Sequence, residues 1–358
     1  MAAAQNEEIS VKLGINIGYS GARMVLPVDL VLRVERLGYD SVWAAEAYGS
    51  DAVTPLAYLA AKTTRIKLGT AIMQIPGRTP AMCAMTMSTL DALSGGRALV
   101  GLGLSGPQVV EGWHGVPYGK PAARTREYVQ ILRKIWAREE PVEFHGQEYQ
   151  LPYAGPGATG LGKPLKSILH SRQLPVYLAT MGPVNIRNTA ELADGWLPIW
   201  FSPQRMHMFR PALEEGFARA GGGKSWKDFD IAAGCTVAIT NDVKTGLETM
   251  RPMLALYIGG MGAREKNFHN EMAVKYGYGE AAARIQELYL AGRKQEAEAA
   301  VPYELCDEMS LVGPVARIRD RYRAWEDAGV TTMLVQAGGT AELELMAEIA
   351  GAGTRATA

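Results

Sequence analysis

Short apolar runs alternate along the chain with segments whose apolar positions recur at helical spacing, the pattern of parallel strands each followed by a covering helix. Lys12 to Ile17 reads as the first strand, and Pro27 then opens a helix with Leu30, Val31, Val34 and Leu37 on one face and Gly38 as its stop. Ser41 to Ala45 is the second strand, and an Ala-rich helix spans about 54–62. Ile66 to Ile72 is the third strand, followed by a helix from Pro80. Ala98 to Gly103 is the fourth, with a long helix after Pro121 whose Tyr128, Ile131, Leu132, Ile135 and Trp136 repeat at helical spacing.

The rhythm breaks near 140–172. There Val142 to Leu151 reads as a hairpin turning at His145-Gly146, and 155–162 is a Gly-rich loop. It resumes with strands at 175–179, 195–200 and 231–239, and with helices from Pro183, over 203–219 and over 243–257. A second excursion, 259–304, reads as two helices with turns at Gly277-Gly279 and Gly292. The last helix is 314–327, with Val315, Ile318, Tyr322 and Trp325 inward, and strand eight is 332–335. Eight strands in this rhythm predict a closed (β/α)8 TIM barrel rather than an open sheet. Both excursions are expected as insertions in one barrel domain over 1–358, each too short for a large core of its own.

The length, 358 residues, suits such a barrel with insertions. Apolar residues make up 47% of the chain, enough for a large core, and charged residues 21%. Lys+Arg and Asp+Glu are both 37, a balance that argues against nucleic acid or an anionic membrane as partner. Cys83, Cys235 and Cys306 are far apart, so no disulfide framework is expected. The first residues lack a basic, apolar leader, and the longest mostly apolar run, 252–262, is too short to span a bilayer. A cytoplasmic protein acting on a small molecule is the expectation. No metal site is expected, because the five histidines are dispersed without HxH, HExxH or a Cys/His cluster. No GxSxG elbow provides a hydrolase nucleophile.

Chemistry in a barrel sits where strands end, at the C-terminal face. After strand two, AAEAYGSD places Glu46 there, as a candidate proton acceptor, a partner for a cofactor ring N–H, or a plain surface acid. Strand three ends in LGTAIMQIPGRTP, an irregular turn able to bring backbone close to a flat ligand. Strand four ends in GLGLSGPQVVEGWHGVPYG, whose GxGxxG match lacks a dinucleotide-binding context and reads better as a short platform. Beyond it lie Glu111 and His114, the latter the only histidine in a candidate mouth loop and suited to acid–base work or to a structural role. After strand five, Thr180, Met181 and Gly182 precede Pro183 at a helix start, where free N–H groups and the helix dipole form an anion site that Arg187 could reinforce. Trp113, Tyr118, Trp196 and Trp200 near the mouth fit a sizeable, partly apolar substrate and equally fit barrel core.

Five segments, GYDSVWAAE (38–46), RIKLGTAIMQIPGRTP (65–80), TLDALSGGRALVGLG (89–103), VEGWHGVPY (110–118) and LATMGPVNIRNTAELADGW (178–196), together resemble the luciferase-like monooxygenase superfamily. Within it the chain is similar to the F420-dependent oxidoreductases and, more distantly, to methylenetetrahydromethanopterin reductase-type enzymes. The resemblance runs from strand one to strand eight. It implies a homodimer that uses coenzyme F420, with FMN as the alternative cofactor. It implies that Glu46 faces the deazaflavin ring, and that Thr70 and the Ala71-Ile72 peptide, in the family's non-prolyl cis form, back that ring. By the same resemblance, Gly103, Ser105 and Gly106 flank the ring, and Thr180, Met181, Gly182 and Pro183 hold the phosphate. Members acting on sugar phosphates carry His where this chain has Ala47 and an acid near Pro107, so a sugar phosphate substrate is disfavoured. The expected activity is hydride transfer between the deazaflavin and a partly apolar small molecule, with Glu46, Glu111 or His114 handling the proton. An FMN-dependent monooxygenase and a cofactor-binding barrel without turnover are the alternatives.

Overall fold

The computed structural model describes residues 11–262 and 264–355. Eight parallel strands form its centre: β1 (Lys12–Gly18), β2 (Ser41–Ala44), β3 (Lys67–Thr70), β4 (Ala98–Gly103), β5 (Val176–Leu178), β6 (Gly195–Trp196), β7 (Asp230–Ile239) and β8 (Thr332–Ala337). Neighbours in sequence pair in parallel from β1 to β7, with a register shift between Asn16 and Gly18 of β1; β7 pairs β8, and β8 returns to β1 through Lys12 opposite Thr332. The ring is closed, which removes the exposed edges an open sheet would leave. All eight strands lie where the alternation placed them.

The barrel interior is filled by side chains rather than left as a pore. Trp43 and Tyr177 meet edge to face with ring centroids 5.1 Å apart, packed with Leu99, Leu197, Ala232 and Leu334. Glycines on adjacent strands make this possible. A Cβ on Gly69 would lie 2.3 Å from the Trp43 ring, and one on Gly195 would lie 2.4 Å from the Tyr177 ring. At the strand N-termini Asp230 closes the bottom, accepting from Tyr177 Oη at 2.8 Å and Thr332 Oγ1 at 2.9 Å. At the other end Ala71, Ile72 and Ala179 cap the packed layer, so the mouth has an apolar floor.

Several elements differ from the expectation. Strand three stops at Thr70 and resumes as Met73–Gln74 beside β4, with a cis Ala71–Ile72 peptide between the two pieces. The helix over 203–219 is a 3-10 segment, Pro203–Met208, then an α-helix, Arg210–Ala220; Pro211 lacks the N–H that would join them. Pro252 likewise divides 243–257 into Val243–Glu248 and Arg251–Gly260. The hairpin pairs Phe144–His145 with Gln150–Leu151, so its turn is 146–149, later than His145-Gly146. The second excursion carries three helices before Glu304, not two: Phe268–Lys275, Gly279–Leu290 and Lys294–Ala299. Its turns at Gly277 and Gly292 have positive φ, as glycine permits. A short strand, Ser310–Gly313, pairs with the outer half of β7, and a helix, Thr340–Ile349, follows β8; neither was anticipated.

Candidate active site

The floor is assembled first. A Cβ on Gly103 would lie 2.9 Å from Ile72 Cδ1 and 3.7 Å from Ala179 Cβ, so its missing side chain lets the cis segment lie flat against β4. Thr70 sits beneath, fully buried, its Oγ1 donating to the Gly101 carbonyl at 2.7 Å and accepting from the Gly101 N–H at 2.9 Å. Thr70 thus shapes the floor without facing the mouth. Ala71 and Ile72 remain half-buried on its upper side.

Around the floor runs a polar arc. Arg78 donates to both oxygens of Glu46 at 2.7 Å each, and the backbone N–H groups of Gln74 and Ala52 donate to the same carboxylate at 3.1 and 3.2 Å. Each Glu46 oxygen therefore accepts two hydrogen bonds, its full lone-pair complement. Glu46 pins the turn 74–78 to the β2 loop, and its hydrogen bonds hold the Arg78 guanidinium still more firmly charged. Gln74, buried to 3% exposure, turns its amide nitrogen toward the Glu46 carbonyl at 3.5 Å and Ser105 Oγ at 3.4 Å. Its Oε1 lies 2.5 Å from His114 Nε2. A carbonyl only accepts, so the amide orientation makes Oε1 the acceptor and places the proton on His114 Nε2. His114 also packs on Gly77, where a Cβ would meet its ring at 3.0 Å. Ser105 holds a left-handed φ of 63° that aims its hydroxyl back at this arc. Half-buried Gly106, which the resemblance grouped with Gly103 and Ser105, caps the short helix Pro107–Gly112.

The structure does not bring Glu111 into the arc. It is exposed and accepts from the Tyr118 N–H at 3.3 Å. Gln74 and Arg78 were not singled out from sequence. The available signal was a lone polar residue inside the apolar run AIMQIP.

The third part is the start of the helix Pro183–Leu192. Gly182 stands at its N-cap with φ 78° and ψ 149°, and no side chain caps the first turn. Pro183 lacks an N–H, so the unoccupied donors begin at Val184, an arrangement that receives an anion. Thr189 donates to the Asn185 carbonyl at 2.9 Å, so the 2.7 Å contact between Thr180 and Thr189 hydroxyls takes the Thr180 proton inward. Trp196 Nε1 donates to the Thr180 carbonyl at 3.1 Å and fixes this segment. Met181 is half-buried against the core. Arg187 is directed elsewhere, pairing with Glu215 at 3.2 Å, and adds no charge to the helix start.

The aromatic residues divide. Trp196 is core, packed on Phe201 and Phe209, whereas Tyr118 is half-buried and Trp113 is 64% exposed against Tyr48. Trp200, after β6, is half-buried against Tyr257 and His269. His269 lies in the 259–304 insertion, so His114 is not the sole histidine near the mouth. The βα rhythm carries no information on where an insertion folds back.

The luciferase-like monooxygenase family pattern matches residues 19–332. The chain belongs to that family. A Mycobacterium tuberculosis protein named as a coenzyme F420-dependent oxidoreductase is 47% identical over 345 residues, covering 96% of this chain and 99% of the relative. The 5,10-methylenetetrahydromethanopterin reductase of Archaeoglobus fulgidus is 27% identical, over 84% of this chain and 86% of its own. Among solved structures, the coenzyme F420-dependent tetrahydromethanopterin reductase of Methanopyrus kandleri superposes with a TM-score of 0.76 at 23% identity, over 95% of this chain and 98% of that one. The FMN-bound oxygenating constituent of a Pseudomonas putida Baeyer–Villiger monooxygenase superposes with a TM-score of 0.64 at 19% identity, over 96% and 98%. Both show that this luciferase-like barrel shares their fold. The cis Ala71–Ile72 peptide that the family resemblance implied is present. Among the described residues no cluster of His, Cys, Asp or Glu is arranged to hold a metal, and no helix is long and apolar enough to cross a membrane.

Proposed function

We propose that the protein is a coenzyme F420-dependent oxidoreductase acting on a small, partly apolar molecule. The observation that carries the reading is a flat apolar floor, Ala71-Ile72 beside Gly103, placed at the same mouth as an uncapped helix start, Gly182-Pro183. A planar ring with a phosphate-bearing tail needs both. The high identity to a relative named for F420 dependence favours the deazaflavin over FMN. Ala71, Ile72, Gly103 and Ser105 would hold the ring, with Thr70 setting the floor beneath and Gly106 closing the loop. Backbone of Thr180 to Pro183 and the helix start would hold the phosphate. The bound cofactor supplies a carbon that gives up or takes up a hydride.

The chain's own part is to exclude water over the floor and to place one proton-handling group. His114 fits that role: Gln74 occupies its Nε2, which leaves Nδ1 as the ring atom for proton exchange. Glu46 anchors the arc through Arg78, and Glu111 stands apart. The protein is read as one cytoplasmic barrel domain with two insertions, assembled as a homodimer. The uncharged outer face of the helix Pro80–Ser94 supports the dimer.

Fluorescence titration of the purified protein with F420 and with FMN tests the cofactor. Tighter binding of F420 is the expected result; preference for FMN points to the monooxygenase alternative and rejects this reading. F420 binding without oxidation of reduced F420 by any of a panel of unsaturated substrates favours a barrel without turnover. His114→Ala is expected to keep cofactor affinity and lower turnover; unchanged turnover removes His114 from the proton step.

A further inference from the structure

The 259–304 insertion brings a second set of groups to the mouth. His269 is at the second position of the helix Phe268–Lys275, whose N-cap Asn267 donates from its side chain to the Tyr257 and Ile258 carbonyls at 2.9 and 3.0 Å. That clasp fixes the insertion on the helix following β7. The His269 ring lies 4.9 Å from the Trp200 ring and 4.8 Å from the Tyr257 ring, and Trp200 and Tyr257 are 5.7 Å apart, so the three form one contiguous aromatic wall. Trp200 has a left-handed φ of 50°, which a bulky residue rarely adopts, and Tyr276 Oη donates to its carbonyl at 3.0 Å. The wall is therefore held by structure on two sides.

His269 Nδ1 is buried and has no hydrogen-bond partner among the described residues. Buried polar atoms are almost always paired, and an unpaired one near a ligand site marks a missing partner. Facing the wall are the loops after β1 and β2. The Tyr257 phenol is pushed upward first by burial and then by the nearby hydroxyls of Tyr19 and Tyr48. Tyr19 and Tyr48 are half-exposed, and Tyr48 leads on to Trp113 with ring centroids 6.4 Å apart. Aromatic groups therefore border the opening from the β6–β7 side to the β2–β4 side, and the orphan nitrogen sits in the more buried part. Burial also pushes the imidazole down to about 4, so at neutral pH the ring is an uncharged partner and not a cation.

We infer that Trp200, Tyr257 and His269 form the substrate wall of this mouth, built for a flat aromatic or conjugated ring carrying an oxygen that hydrogen-bonds His269 Nδ1. The inference rests on the oxidoreductase reading for the word substrate, but the wall's binding chemistry is testable without it. The Trp200 and Tyr257 planes are 67° apart, so a flat ring lies face to face on one and meets the other edge to face, whereas a puckered ring of equal size does neither as well. The oxygen relieves the unpaired nitrogen, which gives selectivity against the same ring without it.

The test uses the full chain and three probes by calorimetry: 1-acetylnaphthalene (flat, with a carbonyl), 1-methylnaphthalene (flat, none) and 1-decalone (carbonyl, not flat). The first is expected to bind about tenfold tighter than either other. His269→Phe keeps the ring and removes the nitrogen, so acetylnaphthalene affinity should fall to that of methylnaphthalene, whose own affinity stays. His269→Asn, which returns a polar atom near the Nδ1 position, should recover part of the preference. Trp200→Leu should weaken both flat probes. Wild-type protein that binds the three alike, or none, overturns the inference, as does a preference for the carbonyl that survives in His269→Phe. Should the Phe variant fail to fold by circular dichroism, wild-type selectivity and Trp200→Leu decide. A parallel F420 titration keeps the two readings apart: probe selectivity without F420 binding leaves the wall standing and removes the cofactor, and the reverse removes the wall alone.

Discussion

Two side chains carry the strongest single-residue predictions, and neither was legible from sequence. Gln74 is the hub of the polar arc because its amide bridges the Glu46 carbonyl and Ser105 on one side and His114 on the other. Gln74→Leu should leave the barrel folded and release the His114 ring. Ring-nitrogen NMR should show His114 as the Nε2–H tautomer in the wild type and as a mixture in the variant; an unchanged tautomer means another group fixes it. His269 is the second. Its folded-state value of about 4 lies below the ordinary 6.5, so between those values the unfolded chain takes up a proton the native protein does not. Stability is full above pH 6.5, falls as pH drops toward 4, and is level with respect to this group below that. The loss at pH 5 is about 2 kcal/mol. Urea unfolding at pH 7 and pH 5 should show it in the wild type and not in His269→Phe; equal losses would assign the acid sensitivity elsewhere. Glu46, His114 and the Thr180–Pro183 segment were visible because strand ends and a Gly-Pro helix start point to a barrel mouth. Gln74 and His269 were not, since an amide in an apolar run and a histidine in an insertion gain meaning only from contacts across the fold.

At the scale of elements, the strand–helix alternation located every barrel strand, and two helices read as continuous are divided where a proline interrupts a periodic run. Periodicity extends through Pro211 and Pro252, but the missing N–H divides each helix there. The four-residue strand Ser310–Gly313 is too short for alternation to distinguish it from a loop. The junction of β3, the cis segment and β4 is the element most sensitive to change. Gly103→Val adds bulk where a Cβ already meets Ile72 at 2.9 Å, so the floor must lift or β4 must shift. Overpacking of this kind costs about 1–3 kcal/mol. Thermal unfolding should shift down accordingly, and F420 affinity should fall by about tenfold. Gly112→Ala, at a site with open space around the added atom, is the matched control and should change neither. Equal behaviour of the two variants would separate the floor from cofactor binding.

For the whole molecule, barrel closure accounts for every strand edge in the ring, so the proposed dimer is sought on the helix faces outside it. The helix Pro80–Ser94 presents Met82, Met85, Thr89 and Leu93 to solvent, with Met85 58% and Leu93 71% exposed. Its one carboxylate, Asp91, is buried and paired with Arg172 at 2.9 Å, which leaves the outer face without a charge. A face of this kind is costly to hydrate and fits the proposed contact with a second copy. At 1.5 Å per residue the helix is about 22 Å long, too small alone for the roughly 800 Å² per partner of a stable interface. The neighbouring helix Val53–Ala60, with Tyr58 exposed, extends the patch. Under two-fold symmetry the same patch meets itself, so a charge placed at its centre meets its own copy. Met85→Glu should therefore shift the protein from dimer to monomer in light scattering at micromolar concentration, while Met253→Glu, at a methionine 42% exposed on a different helix, should not. Dissociation by both substitutions, or by neither, would move the interface to another face, and a monomeric wild type would remove the dimer altogether.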